Sequence, residues 1–432
     1  MSIFDEFKWR GMLFDSTEGL DKVFVTEEVT AYIGFDPSAA SLHVGSLLPI
    51  MALARLQRYG HKPIAIVGGG TGLIGDPSGK SRERTLLTEE QVAENLQGIR
   101  GQLSRFLDFD AQKNPAEIIN NADWLVATPL MEFLRDVGKH FTVNYMLAKE
   151  SVNRRLEQEQ GISYTEFSYM LLQAYDFLIL NERYNCTLQM GGSDQWGNIL
   201  AGIELIRRLR KTKAHGLVFP LVMNAAGVKF GKTESGENIW LDEKLTTPYN
   251  FYHFWLNVDD KDVITYLKYF TWLSQDDIKQ QEVSIAEARE QREAQRTLAR
   301  EVTSTVHGEA TAKRVEKAMR LLFEKDLHSQ SVEELTDALS VVPAHTLERS
   351  MFEGDGIGLV ELLIQIRWPD SEDKSREYIA KAEARRLIKG GGLYLNNRQV
   401  SDEKQRISLA DFLGEKILVL RKGQKQHHLI WI

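Results

Sequence analysis

Apolar residues in the first half of the chain follow two alternating patterns. Short apolar, β-branched runs predict buried strands, and apolar residues that recur every three or four positions predict amphipathic helices. The predicted strands are residues 30–33, 62–67, 187–190 and 217–222, and the longest predicted helices are residues 47–56, 88–106 and 163–177. Alternation of strands and helices is typical of an α/β fold with a doubly wound, mostly parallel sheet.

The second half of the chain has a different pattern. From about residue 246 to residue 324 the apolar spacing is helical, whereas residues 110–121 and 325–356 are weakly patterned and predict connectors. A short helix at 359–364, a basic helix at 381–389 and a hairpin at 393–400 predict a small α+β module at the end.

Composition indicates an ordinary globular protein of two or three domains. The chain has 432 residues, of which 43% are apolar and 26% charged. Its single cysteine, Cys186, excludes an intrachain disulfide and fits a reducing compartment. We see no signal peptide at the N-terminus and no apolar stretch that could span a bilayer, so we expect a cytoplasmic protein without membrane contact.

Charge is distributed unevenly along the chain. The net charge is −8, but residues 372–432 contain 13 basic and 8 acidic side chains, which leaves −13 for residues 1–371. A strongly acidic body argues against a nucleic-acid surface along the whole chain. Any contact with RNA is therefore expected in the basic tail.

Two polar loops have the residue types of a phosphate-binding site. The strand at 30–33 runs into Asp36-Pro37-Ser38, and a helix begins near His43, so backbone N–H groups and the helix dipole could face an anion. Farther on, Lys229 and Lys232 lie three residues apart beside Thr233, which suits a polyphosphate that gains charge during a reaction. Taken singly, each loop could instead be an ordinary connection or a solvated hairpin.

A glycine-rich loop after the second strand is a poor match to the dinucleotide-binding fingerprint. Gly70, Gly72 and Gly75 give the spacing of a dinucleotide-binding motif, but the sequence Asp76-Pro77-Ser78 follows at once. The fingerprint needs a helix that starts within the glycines, and a proline there argues against one. We interpret the glycines as space for a small ligand, with the Asp76 carboxylate facing a cation.

The helix predicted at 163–177, with Thr165 as its N-cap, has polar side chains on one face. Tyr169, Gln173 and Asp176 follow the spacing i, i+4 and i+7 among large apolar residues, which favours a ligand-facing stripe over a solvated face. Gly192, Asp194 and Gln195 follow the next strand, in a turn that again suits a ligand. We find no cluster of metal ligands.

The two phosphate loops together resemble a known pair of motifs. His43-Val44-Gly45-Ser46 and Lys229-Phe230-Gly231-Lys232-Thr233 are similar to the His-Ile-Gly-His and Lys-Met-Ser-Lys-Ser motifs of class I aminoacyl-tRNA synthetases. The intervening residues are similar to bacterial-type tyrosyl-tRNA synthetases over nearly the whole chain. The resemblance implies a Rossmann-like catalytic domain (1–244), an α-helical anticodon-side domain (245–345), a linker (346–356) and an S4-like RNA-binding domain (357–432).

The resemblance also implies roles for individual residues. The catalytic residues would be His43, Ser46, Lys229, Lys232, Thr233, Lys80 and Arg84. The tyrosine-binding residues would be Tyr32, Asp76, Tyr169, Gln173, Asp176 and Gln195. The ATP-binding residues would be Asp36, Ser38, Gly45, Gly192, Asp194 and Lys232. The RNA-binding residues would be Arg385, Arg386, Lys389 and Arg398.

Tyrosyl-tRNA synthetases form tyrosyl-adenylate from tyrosine and ATP, and then charge the 3′ end of tRNA(Tyr). The resemblance therefore implies tyrosine, ATP with Mg²⁺, and tRNA(Tyr) as ligands, no tightly bound cofactor, and a homodimer. These enzymes are the known example of a site that reads a hydroxyl, and reject phenylalanine by roughly 10⁴–10⁵.

Three alternatives stay open, the last of them because Ser46 stands where the family has a second histidine. The alternatives are a tryptophanyl-tRNA synthetase-like enzyme, a small-molecule adenylate-forming ligase, or an RNA-binding or splicing-assistance relative that has lost catalysis.

Overall fold

The structure is a computed structural model that describes residues 1–78, 87–157, 161–225, 227, 230–231, 238–322, 327, 331–366, 379–423 and 426–432. Five residues of the predicted phosphate site lie outside the described residues: Lys80, Arg84, Lys229, Lys232 and Thr233. The chain forms two compact units. The first contains Met1–Lys232, Asn238–Asp242 and Asp259–Ala294, and the second contains Thr233–Glu237, Glu243–Val258 and Gln295–Ile432.

Helices and strands are numbered in chain order within the described residues. The helices are α1 (Ile3–Trp9), α2 (Leu20–Thr26), α3 (Leu47–Arg58), α4 (Glu89–Leu103), α5 (Ala122–Leu125), α6 (Leu130–Asp136), α7 (Val143–Leu147), α8 (Glu150–Leu156), α9 (Tyr164–Tyr184), α10 (Trp196–Arg210), α11 (Pro248–Leu256), α12 (Asp260–Phe270), α13 (Gln275–Ala288), α14 (Glu293–His307), α15 (Glu309–Leu322), α16 (Val332–Leu339), α17 (Leu359–Leu363) and α18 (Lys381–Lys389). The strands are β1 (Asp15–Ser16), β2 (Thr30–Phe35), β3 (Lys62–Val67), β4 (Glu117–Asn120), β5 (Leu188–Gly192), β6 (His215–Phe219), β7 (Ala344–Thr346), β8 (Ile357–Gly358), β9 (Leu393–Leu395), β10 (Arg398–Val400), β11 (Arg406–Ile407), β12 (Ile417–Lys422) and β13 (Gln426–Trp431).

The first unit is built on one sheet with the strand order β1-β6-β5-β2-β3-β4. Only β1 is antiparallel to its neighbour in this sheet, so the prediction of a mostly parallel, Rossmann-like sheet is confirmed. Central strand β3 forms because its residues are a continuous apolar run, and it is buried from Pro63 to Val67. Edge strand β4 lies in the stretch that the sequence predicts to be a connector.

Helix α9 crosses the centre of the first unit and carries the predicted polar stripe. Its N-cap is Ser163 rather than the predicted Thr165, because the Ser163 side chain accepts the backbone N–H of Glu166 (3.2 Å). Its C-cap is Asn185, whose φ of 51° is the left-handed conformation common at helix ends. Phe177 and Leu180 are fully buried, which fixes the rotation of the helix about its axis.

The second unit combines helices with a sheet of order β10-β9-β12-β13-β7, and a separate pair joins β8 to β11. One face of the sheet and helices α17 and α18 enclose an apolar core that includes Leu359, Ile388 and Leu420. The stretch 325–356 is more regular than the sequence indicates, since α16 forms there and β7 pairs in parallel with β13. The division into three domains and a linker stays a prediction.

Within the described residues, we find no helix with the length and apolar character required to span a bilayer.

Candidate active site

The site lies where three parallel strands end. Strand β2 has β3 on one side and β5 on the other, so the order of connection reverses between β2 and β5. The carboxyl ends of strands at such a switch point form the ligand crevice of open α/β sheets. Asp36 follows β2, Asp76 lies beyond β3 and Gln195 lies beyond β5, and all three belong to this edge.

A hydrogen-bond network joins three of the predicted tyrosine-binding residues. The Gln195 amide donates to Asp76 Oδ2 (2.7 Å), and the Gln173 amide donates to Gln195 Oε1 (3.1 Å). Asn198 donates to Gln173 Oε1 (3.0 Å), while the backbone N–H of Ser78 donates to Asp76 Oδ1 (2.9 Å). A carboxylate held from both oxygens keeps a fixed orientation, as the binding of a small cation requires.

The polar stripe of α9 faces the protein and not the solvent. Tyr169 is 6% exposed and Asp176 is 3% exposed, which excludes the alternative of a solvated face. The Tyr169 hydroxyl donates to Asp36 Oδ1 (3.4 Å), so α9 reaches the end of β2 as well as the Asp76 network. The stripe therefore lies along the crevice.

The Asp176 carboxyl is a buried polar group of the site. It accepts hydrogen bonds from Trp124 Nε1 (2.7 Å) and Asn121 Nδ2 (2.9 Å). Burial raises the pKa of this carboxyl to about 7, although the two hydrogen bonds lower it. Burial, followed by the nearby Asp176, raises the pKa of the Tyr32 hydroxyl well above its ordinary value, and that hydroxyl has no hydrogen-bond partner within the described residues.

His43 is held in one orientation and one tautomer. It caps the short turn Val44–Ser46, and its Nδ1 accepts the backbone N–H of Gly45 (3.0 Å). The proton of the neutral ring is therefore on Nε2, which is the atom that can donate to a phosphate oxygen. The Trp240 ring packs edge-on against the imidazole at 6.1 Å. Ser46 is half-buried, and its side chain makes no capping hydrogen bond to α3.

The described end of the lysine loop lies against this turn. Gly231 has a φ of 112°, and a Cβ atom there would be 3.2 Å from the Gly45 backbone nitrogen. Ile239 donates to the Gly231 carbonyl (3.1 Å) and accepts the N–H of Val44 (2.9 Å). The two motifs therefore touch through their glycines, and only glycine suits the backbone conformation of Gly231.

The remaining predicted ATP-binding residues surround the same edge. Ser38 is exposed in the turn after β2, and its backbone N–H donates to the Asp36 carbonyl (2.9 Å). A Cβ on Gly192 would lie 2.6 Å from Asp194 Oδ1, so glycine is needed for the carboxylate to sit against the backbone. Asp194 lies in the short turn Ser193–Gln195 that leads into α10.

The predicted RNA-binding residues belong to the second unit. Arg385, Arg386 and Lys389 are exposed on α18, and Arg398 is exposed on β10. Lys389 pairs with Glu403 (3.3 Å), while the structure gives no such ion pair for the two α18 arginines with any described residue. All four residues are therefore exposed basic side chains of the second unit.

Comparison with known proteins agrees with this geometry. Residues 25–324 match the model for class I (W and Y) tRNA synthetases, and residues 334–430 match the SYY-like C-terminal domain of tyrosine–tRNA ligases. The tyrosine–tRNA ligase of Roseiflexus castenholzii is 56% identical over 429 residues, which cover 99% of both chains. The chain belongs to the tyrosine–tRNA ligase family.

A further curated relative and a solved structure extend this similarity. The Geobacillus stearothermophilus tyrosine–tRNA ligase is 49% identical over 433 residues, covering 100% of this chain and 99% of that one. Among solved structures, a C-terminally truncated mitochondrial tyrosyl-tRNA synthetase from Aspergillus nidulans gives a TM-score of 0.68 at 30% identity, covering 74% of this chain and 94% of that chain. The chain is therefore an enzyme, and the tyrosine-specific assignment is favoured over the tryptophan-specific alternative.

Several polar residues of the tyrosine–tRNA ligase site were not predicted from the sequence. They are Thr71, Ser78, Asn121, Trp124 and Asn198. Asn121 Nδ2 donates to Thr71 Oγ1 (2.9 Å) as well as to Asp176, and Asn121 Oδ1 accepts the backbone N–H of Gly70 (2.8 Å). Recognition of β4 as a strand could have identified Asn121, because this residue directly follows that strand at the same sheet edge.

Proposed function

We propose that this enzyme activates tyrosine with ATP to form tyrosyl-adenylate and pyrophosphate, and then transfers the tyrosyl group to the 3′ end of tRNA(Tyr). The observation that supports this most is the buried pair of Tyr32 and Asp176 at the sheet edge that also holds the Asp76 network. The pair offers a hydroxyl-reading pocket, and the network offers a place for an ammonium group. These are the two ends by which a tyrosine can be recognised.

The phenol end of the pocket selects for the substrate hydroxyl. Because the Tyr32 hydroxyl is buried without a partner among the described residues, a ligand hydroxyl can satisfy it. Asp176, held by Asn121 and Trp124, would accept the proton of that ligand hydroxyl. A phenylalanine ring would leave both groups unsatisfied in a buried place, which is the physical basis of discrimination.

The amino-acid end binds charge. Asp76, Tyr169 and Gln173 would surround the ammonium group, and Gln195 would lie near the carboxylate. Asp76 is 9% exposed and its orientation is fixed by Gln195, so its charge acts on a neighbouring cation with little screening by solvent. This end would place the substrate carboxylate toward the His43 turn.

Activation needs no nucleophile from the protein. A tyrosine carboxylate oxygen attacks the α-phosphorus in line, the bond from that phosphorus to the bridging oxygen breaks, and pyrophosphate leaves with the negative charge. His43 would donate from Nε2 to this developing charge, and Ser46 would add a hydroxyl. We assign Lys229, Lys232, Thr233, Lys80 and Arg84 to the pyrophosphate, and Asp36, Ser38, Gly45, Gly192 and Asp194 to the rest of ATP, with Lys232 contacting both.

Mg²⁺ would enter as the companion of ATP. Within the described residues, no group of three or more His, Cys, Asp or Glu side chains is arranged to hold a metal ion. Mg²⁺ commonly keeps several waters and binds through substrate phosphates, so a protein cage is not required.

Transfer to tRNA would use both units of the enzyme. Arg385, Arg386, Lys389 and Arg398 would contact the RNA backbone, because exposed arginines and lysines neutralise phosphates.

Cys186 is buried and burial raises the pKa of its thiol to about 12, which suits the reducing cytoplasm that we propose as its location.

We propose a homodimer on the basis of one exposed apolar surface. No residue of α6 is buried, and Leu130 and Met131 on this helix are 69% and 75% exposed. Val126 and Val143, on the segments just before and just after α6, are also exposed. A second copy would cover this surface, and Met131→Glu should shift the protein toward monomers in sedimentation equilibrium, whereas an unchanged mass would remove this surface from the interface.

The test of function is ATP–pyrophosphate exchange with tyrosine, tryptophan and phenylalanine in parallel. Exchange with tyrosine alone is expected, together with loss of discrimination against phenylalanine in Asp176→Ala. Exchange with tryptophan, or none with any amino acid from folded protein, would contradict the proposal. Aminoacylation of tRNA(Tyr) then tests the second step.

A further inference from the structure

Helix α12 is bound to the segment that leads into the lysine loop. Asp262 Oδ2 accepts the backbone N–H of Ala225 (2.8 Å), and the Tyr266 hydroxyl donates to the Met223 carbonyl (3.1 Å). The Tyr266 ring also packs on Phe230, with a centroid distance of 4.5 Å. Two hydrogen bonds and one ring contact therefore fix the segment at both of its described ends, since Phe230 also donates to the Val222 carbonyl (2.9 Å).

The other end of α12 is bound to α3, the helix that begins directly after the His43 turn. Arg55 of α3 is fully buried, and its guanidinium donates to the carbonyls of Tyr269 (2.9 Å) and Thr271 (2.6 Å). Arg10 donates to the carbonyls of Lys268 and Leu273 (2.9 Å each). Cationic donors at a helix C-terminus satisfy its last carbonyls and oppose the negative end of the helix dipole.

Through these contacts, α12 connects the segments that carry the two phosphate motifs. Its last turn is hydrogen-bonded to α3, the helix that follows His43. Its Asp262 and Tyr266 are hydrogen-bonded to the backbone of Ala225 and Met223, which precede Phe230. We propose that Asp262 and Tyr266 are positioning residues that hold Phe230 and Gly231, the described part of the lysine loop, against the His43 turn during tyrosine activation. The inference rests on the proposed function, because Lys229 and Lys232 flank the Phe230-Gly231 pair.

The test uses Asp262→Ala and Tyr266→Phe, and the second variant keeps the ring on Phe230 and removes only the hydroxyl. We expect each variant to lower kcat for ATP–pyrophosphate exchange by about three- to tenfold, as loss of one hydrogen bond allows, with the KM for tyrosine unchanged. Asp276→Ala is the matched control, because this exposed carboxylate pairs with Lys279 (3.2 Å) on its own helix and its loss should leave both constants unchanged.

A double-mutant cycle with Lys232→Ala separates positioning from a general structural role. If Asp262 acts through the loop, Asp262→Ala should cost little in the Lys232→Ala background. The same fold-loss in both backgrounds, or a raised KM for tyrosine, would overturn the positioning role. If Lys232→Ala itself leaves exchange unchanged, the proposed function of the loop fails first and the inference fails with it.

Discussion

A single methyl group added at Gly45 tests whether catalysis depends on the orientation of His43. A Cβ atom there would lie 2.7 Å from His43 Cε1 and 2.9 Å from His43 Nδ1, closer than Cβ atoms are found to any neighbour. The imidazole must therefore move. Its hydrogen bond from the Gly45 N–H, which fixes the tautomer and aims Nε2, cannot survive that movement unchanged.

The size of the effect follows from what His43 is proposed to do. Removal of one donor to the developing charge of a transition state typically costs about 3–4 kcal/mol, or a factor of about 10²–10³ in kcat. Gly45→Ala keeps the ring but displaces it, so a fall in kcat of about a hundredfold is expected. The KM for tyrosine should stay unchanged, because the Asp76 and Asp176 contacts do not involve this turn.

The assay is tyrosine-dependent ATP–pyrophosphate exchange, with kcat and the tyrosine KM measured separately. Gly101→Ala is the control, since the same methyl group on exposed α4 would meet no atom within 4 Å. Wild-type kcat in Gly45→Ala, or a loss that appears in the tyrosine KM alone, would refute the argument. Equal losses in Gly45→Ala and Gly101→Ala would show that the effect does not come from His43.

Four other outcomes are expected. Because the pKa of Asp176 is raised to about 7 and its carboxylate should accept the phenol, the tyrosine KM should rise as pH falls from 8 to 6, and Asp176→Asn should abolish this dependence. Arg155→Leu should lower the free energy of unfolding in urea by about 3–5 kcal/mol, because it removes the buried cation that pairs with the Glu166 carboxylate (2.9 Å); a loss below 1 kcal/mol would contradict this. Cys186 should resist alkylation in the native protein and react in urea, whereas rapid native labelling would show that the thiol is accessible. Arg385→Glu combined with Arg386→Glu should depress tRNA charging and spare pyrophosphate exchange, whereas equal loss of both would assign these arginines a structural role.

Strongly buried elements were predictable because their signal is local. Strand β3 occupies the predicted residues 62–67, and α18 occupies the predicted residues 381–389. The continuous apolar run of β3 can be stable only inside a sheet. On α18 the buried residues are Ala384 and Ile388, and this spacing of apolar residues among charged ones can be read from the sequence alone.

Short elements with mixed polarity were not predictable. Edge strand β4 is only partly buried, so its residues do not show the apolar run of a central strand. Helix α16 has eight residues and begins at a Ser331 cap, but the surrounding polar sequence hides it. Strand β7 has no buried residue at all, and its position depends on pairing with β13, more than eighty residues later in the chain.

The hydrogen bonds of the site largely join residues that are far apart in the sequence. The i, i+4, i+7 spacing places Tyr169, Gln173 and Asp176 on one face of α9, and the structure confirms that this face is not solvated. The donors that hold Asp176 are more than fifty residues away in sequence, on the segment after β4. No local pattern contains that pairing, because it follows from the strand order of the sheet.

The two ends of the site differ in how they are built, and this separates selectivity from chemistry. At the phenol end, Tyr32 and Asp176 are buried, so a substrate without a hydroxyl leaves buried polar groups unsatisfied there. At the phosphate end, the described residues lie on turns that touch through Gly45 and Gly231, and the lysines flank that contact. Changes at the phenol end should therefore alter the tyrosine KM and the discrimination against phenylalanine, whereas changes at the glycine contact or at α12 should alter kcat. A variant at Asp262 that changed discrimination would show that the two ends are coupled, contrary to this division.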